Sequence, residues 1–108
     1  MSRNTKSALI GKWRIVEMEL WDTDYLDLVE PAYIRFDPRG AGEFVFGTVT
    51  GGLDYRHIGE GADFTWQGNA EMDEASGSGW TKLNDDGSLG GEIKFHLGDR
   101  SAFKARKW

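Results

Sequence analysis

The sequence predicts an all-β fold: eight short antiparallel strands in up-and-down order, a meander closed into a small barrel. Three observations carry that reading. Apolar and polar residues alternate over most of the chain, the period-2 mark of half-buried strands. Glycine occurs 15 times and proline twice, beside six Phe, five Trp and three Tyr, a composition of strands and tight turns. Connections between consecutive strands are short, so sequence neighbours pair antiparallel, and closure removes their exposed edges. A two-sheet sandwich uses the same strands and stays open at this level.

The first strand runs from Ile10 to Leu20, with Trp13, Ile15 and Glu17 alternating against Arg14, Val16 and Met18. The rhythm then changes. Trp21, Tyr25, Leu28 and Val29 fall at helical spacing behind Asp22 or Thr23 as N-cap, which predicts a short helix or lid ended by Pro31. Strand two carries Ala32, Ile34 and Phe36 and closes on the turn Asp37-Pro-Arg-Gly40. Strand three spans Gly42 to Thr50, and Gly51-Gly52 reads as its hairpin turn into strand four, where Leu53, Tyr55 and His57 share a face. Gly59-Glu-Gly61 leads to strand five, Ala62 to Gln67.

Residues 68–77 are polar, contain glycine and do not alternate, so they read as a second long loop. Strand six is Ser78 to Leu83, Asn84-Asp-Asp-Gly87 is a turn, and strand seven is Leu89 to Leu97, with Ile93, Phe95 and Leu97 on one face. Gly98-Asp99 turns the chain into strand eight, Arg100 to Lys107.

The chain length, 108 residues, gives one domain and one core, residues 1–108. Cysteine is absent, so neither a disulfide framework nor a thiol nucleophile is available. Thirteen Lys and Arg stand against 18 Asp and Glu, a net charge of −5, the wrong sign for neutralising phosphates; nucleic acid is not an expected partner. No stretch reaches the roughly 20 apolar residues of a membrane helix, and the first ten residues lack an apolar signal core. The expectation is a soluble, cytoplasmic protein with no membrane partner.

At Gly11-Lys12-Trp13 the chain resembles the Gly-x-Trp signature of the lipocalins and the wider calycin superfamily, meander barrels in which that Trp plugs the closed end under an Arg of the last strand. The resemblance implies a barrel closed by Trp13 and Arg106 and open at the other end. Met18-Glu-Leu-Trp-Asp22, Tyr33-Ile-Arg-Phe-Asp37 and Phe64-Thr-Trp-Gln-Gly-Asn69 also resemble a group of small bacterial proteins to which no activity is assigned.

Alternation of strand ends gathers residues 20–31, Gly51-Gly52, residues 68–77 and Gly98-Asp99 at the end away from Trp13, where a pocket is expected. A small-molecule-binding barrel would line that pocket with Glu17, Tyr33, Tyr55, Trp66 and Trp80, facing an apolar or aromatic ligand in an enclosed cavity. Trp66 and Trp80 form its aromatic wall, and an inward Glu17 needs a partner such as Arg35 or Tyr55 unless a bulge after Val16 turns it out. The alternative is a ligand-free interaction or homo-oligomerisation module presenting Trp21, Tyr25 and Leu28.

An enzyme using Glu17 with His57 or Arg35 ranks third, since their heights in the barrel differ. The same loop end collects Glu19, Asp22, Asp24, Asp27, Glu30, Glu71, Asp73 and Glu74. Asp22-Thr-Asp24 begins like a calcium loop, but neither the sixth-position Gly nor the twelfth-position Glu follows. His57 and His96 face opposite ways, and no phosphate-binding or serine-nucleophile motif is present, so no catalytic residue, metal or cofactor is expected.

Overall fold

Eight strands pair in sequence order, and β8 returns to β1, in a computed structural model that describes residues 8–108. They are β1 (Gly11–Met18), β2 (Tyr33–Phe36), β3 (Ala41–Phe46), β4 (Val49–Ile58), β5 (Gly61–Ala70), β6 (Asp73–Leu83), β7 (Leu89–Phe95) and β8 (Arg100–Lys107). One short helix, α1 (Thr23–Leu26), follows β1. The sheet is a closed antiparallel barrel, so the sandwich is excluded. Residues 1–7, which include most of the stretch read for a signal segment, lie outside the described residues.

Helix α1 forms behind the expected cap but ends at Leu26, before Leu28 and Val29. The Asp22 carboxylate accepts the Tyr25 N–H at 3.0 Å, satisfying a donor the first turn leaves free. Its buried face is Leu26, while Leu28 and Val29 stay exposed.

Three turns differ from the sequence reading. The β3–β4 connection is Gly47-Thr48, where Gly47 has φ 56 and Phe46 pairs with Val49. Gly51 and Gly52 lie inside β4 instead. A Cβ on Gly51 would sit 2.7 Å from the Phe44 ring and 2.9 Å from Trp66, so this glycine is a gap for two rings and not a turn. Residues 68–77 are not a loop: β5 continues to Ala70, β6 starts at Asp73, and only Glu71-Met72 turns. Alternation is lost there because residues 71–74 are exposed on both faces of a hairpin tip. Strand seven stops at Phe95, and Leu97 stands in the following turn, 95% exposed with φ 58.

The lumen is filled. Trp13, Ile15, Ile34, Phe36, Phe44 and Phe46 are each 2% exposed or less, joined by Leu53, Phe64, Trp66, Leu89, Ile93 and Phe103. Facing them from mid-strand are glycines whose missing side chains admit the rings; a Cβ on Gly79 would meet Phe64 at 2.3 Å. Small barrels commonly fill with their own side chains, and here glycine opposite aromatic sets the fit.

Candidate functional site

The end away from Trp13 is built around α1. The Gly47 N–H donates to the Leu26 carbonyl at 2.8 Å, and the Tyr25 hydroxyl lies 3.1 Å from Thr48 Oγ1, so the lid is pinned to the β3–β4 turn. That holds Trp21 across the mouth, with ring centroids 5.1 Å from Phe46 and 6.2 Å from Phe95. Phe95 in turn meets Trp66 edge-on at 5.1 Å, and Trp66 meets Phe44 at 5.0 Å. Among the described residues, core side chains and this aromatic column occupy the lumen, where the sequence reading expected an enclosed pocket.

Above the column lies an open groove of about 990 Å³, with Trp21, Tyr25 and Phe95 as its apolar side and the β5–β6 hairpin and the β7–β8 turn as its polar walls. The Glu71 N–H bonds the Thr48 carbonyl at 3.0 Å and the His96 N–H bonds the Ser76 carbonyl at 2.8 Å, fixing both walls. Its charged lining is Glu71, Asp73, Glu74 and Asp99, with His96; among the described residues no Lys or Arg lines it. Met72 and Leu97 project from the two turns, 97% and 95% exposed.

The expected site residues do not converge there. Trp66 is core, its indole N–H donating to the Lys94 carbonyl at 3.0 Å. Tyr55 is core in the closed half, edge-on to Phe36 at 5.0 Å, with its hydroxyl donating to the Asp37 carbonyl. Burial, then the Asp37 charge, raise its pKa above the usual tyrosine value. Tyr33 is buried on the outer face beneath Lys12, whose Nζ lies 4.3 Å from both the Tyr33 and Trp108 rings. Its pKa is also raised, by burial first and then by Glu43 and Glu30.

Glu17 and Trp80 are outside. The β1–β8 register slips between Ile15 and Glu17, a β-bulge that makes Val16 the extra residue, turns Glu17 out opposite Lys104 and brings Met18 in. Trp80, on the outer row of β6, is 42% exposed and donates to Glu92 Oε1 at 3.2 Å. It therefore cannot share a wall with Trp66, but with Glu17 it lines an outer groove of about 370 Å³.

The proposed catalytic sets are not assembled. Glu17 faces out from β1, His57 stands in the inward row of β4 against Tyr55, and Arg35 bonds Glu43 at 3.1 Å. The acidic collection also splits: Asp22 caps α1, Asp27 binds Arg14 at 2.7 Å and the Ala32 N–H at 2.9 Å, and Glu19 lines the outer groove. Among the described residues no group of three or more His, Asp or Glu is placed to hold a metal ion, and no helix is long and apolar enough to cross a membrane.

No protein-family model, curated protein or solved structure matches the chain.

At the closed end Trp13 is buried and donates its indole N–H to the Leu9 carbonyl at 2.9 Å. The cation over its ring is Lys107, with Nζ at 4.7 Å, and not Arg106. Arg106 pairs in register with Arg14 and faces out, because the inward row of β8 is Ser101, Phe103 and Ala105. Desolvation lowers the Lys107 pKa, and its Nζ donates to the Ile10 carbonyl at 2.7 Å. The sequence reading missed Phe95 as a mouth side chain and grouped Trp21 with Tyr25 and Leu28 on a helix face; Trp21 precedes the cap Asp22 and instead packs on Phe46 and Phe95.

Proposed function

We propose that this protein is a non-enzymatic small-molecule-binding barrel, with its ligand in the mouth groove over Trp21 and Phe95 and not within the lumen. One observation carries the reading: a groove of about 990 Å³ pairs an aromatic side with four carboxylates and no described Lys or Arg. The ligand that suits it joins an apolar or aromatic body to a cationic group. Such a cation gains from the ring faces and the carboxylate rim, about 0.5–2 kcal/mol per cation–π contact depending on desolvation. The calycin resemblance fits as an analogy of barrel and closed end, with the lumen replaced by the mouth as the binding surface.

Benzyltrimethylammonium is a suitable test ligand, with benzyl alcohol and benzoate as its neutral and anionic counterparts. Saturable quenching of tryptophan fluorescence by the cation alone, lost in Trp21→Ala and weakened in Asp73→Asn/Glu74→Gln, is the expected result. Equal responses to all three compounds, or a response that survives Trp21→Ala, would remove the mouth groove as the site.

A further inference from the structure

We propose a second, separate binding site on the outer face of β6, β7, β8 and β1: a slot where Trp80 stacks a flat ring, Lys82 and Lys104 hold an acid group over Gly90, and Glu17 and Glu19 accept from a donor at the other side. It rests on none of the mouth residues.

The strand register lays the slot out in two rows. Lys82, Gly90, Lys104 and Glu17 are consecutive cross-strand partners, so two lysines straddle a position with no side chain. Strands about 4.8 Å apart put the two lysine backbones roughly 10 Å apart, a span that two flexible ammonium chains close over one anionic group. The next row is Trp80, Glu92 and Ala102, and Glu19 reaches its far side, accepting the Ala102 N–H at 3.3 Å. The floor is thus Gly90 and Ala102, the wall is an indole, and the open groove measures about 370 Å³, the scale of one substituted ring.

Gly90 is not demanded by the fold. Its φ is unexceptional, and a Cβ there would meet only Asn84 Nδ2 at 3.6 Å and the Phe103 carbonyl at 3.9 Å, ordinary contacts. Its neighbour Gly91 differs, since a Cβ would lie 2.0 Å from the Trp80 carbonyl. Gly90, the second residue of β7, is paired on both sides, so a glycine the backbone does not need there has its effect at the surface, where it leaves the floor bare.

The charges are placed to be used. Glu92 is occupied by the Trp80 indole N–H at 3.2 Å and by Arg100 at 3.9 Å. Among the described residues neither Lys82 nor Lys104 is in an ion pair within 4.0 Å. The Trp80 ring is 42% exposed and lines both this slot and a smaller depression beside Ile58 and Asp63, so it is open to a stacking ligand. The ligand class is therefore a flat ring bearing an acid group and, across from it, a hydrogen-bond donor.

4-Aminobenzoate has that form, and its halves, benzoate and aniline, are the controls. In an ¹⁵N-resolved NMR titration of the full chain, the Gly90 amide and the indole signal that Trp80→Phe removes should shift saturably with 4-aminobenzoate and much less with either half. Gly90→Val, whose Cβ makes only ordinary contacts, should abolish the shifts while leaving the rest of the spectrum intact, and Lys82→Gln with Lys104→Gln should weaken them severalfold. Trp21→Ala should leave them unchanged, so failure of the mouth groove does not touch this site. Shifts that survive Gly90→Val, that match those of benzoate or aniline alone, or that never appear at Gly90 would overturn the proposal; should Gly90→Val not fold, the lysine pair decides in the same way.

Discussion

Leu97 is the residue whose conformation is least expected from its type. Left-handed backbone suits glycine or asparagine, whereas Leu97 holds φ 58 with a side chain 95% exposed and little burial to offset the cost. Leu97→Asn should therefore stabilise the barrel by about 1 kcal/mol, the low end of the left-handed cost for a non-glycine residue. Thermal unfolding reads this as a rise of roughly 4–8 °C for a domain near this size. An unchanged or lower midpoint would mean that Leu97 is not strained. Single residues were also where the sequence was hardest to read. The alternation through Trp13 and Ile15 points Glu17 inward, and only the one-residue bulge at Val16 reverses it. Trp66 and Trp80 looked like partners because a supposed loop hid the parity between them. A two-residue turn carries parity through: Trp66 pairs with Gly77, so Gly77, Gly79 and Thr81 face in and Trp80 faces out.

At the scale of elements, strands whose one face is core were legible, because burial imposes the period-2 pattern that composition then displays. The helix was legible from its cap, and the turns at Asp37–Gly40, Gly59-Glu60 and Asn84–Gly87 from their residues. What failed was the assumption that paired glycines mark turns. In β4 the outward Gly52 and the inward Gly51 have different reasons to be small, and substitution separates them. Gly51→Ala places a methyl 2.7 Å from the Phe44 ring and should cost about 1–3 kcal/mol, the range for overpacking a filled core. Gly52→Ala meets nothing nearer than the Gln67 carbonyl at 3.8 Å and should stay within about 0.5 kcal/mol of the parent. Urea unfolding of the two variants measures the difference, and equal costs would contradict the place of Gly51 beneath the two rings.

For the whole molecule, filling the lumen moves both candidate sites to surfaces, and stability is tied to two buried tyrosines, Tyr55 in the core and Tyr33 on the outer face, that must stay neutral. Tyr55 and Tyr33 are 8% and 9% exposed, and burial raises both pKa values above the ordinary ~10 of tyrosine. A raised folded pKa means that the unfolded chain ionises first. The stability contributed is complete below about pH 10 and is lost as pH rises through the raised folded value. Lys107 acts oppositely: its lowered folded pKa makes the unfolded chain bind the extra proton, so this one group adds stability as pH rises toward the ordinary lysine value of about 10.4. Above the ordinary lysine value the Lys107 contribution is complete while the tyrosine loss continues, so there the folded barrel should lose stability as pH rises. Tyr55→Phe removes one of the two tyrosine contributions together with the bond to the Asp37 carbonyl. The variant should start about 1 kcal/mol less stable at neutral pH, the usual worth of one hydrogen bond. It should then lose less between about pH 9 and about pH 11, so that the two unfolding curves converge as tyrosine ionises. Parallel curves across that range would show that Tyr55 titrates alike in the folded and unfolded chains, and with it the view of the closed half as dry would fail.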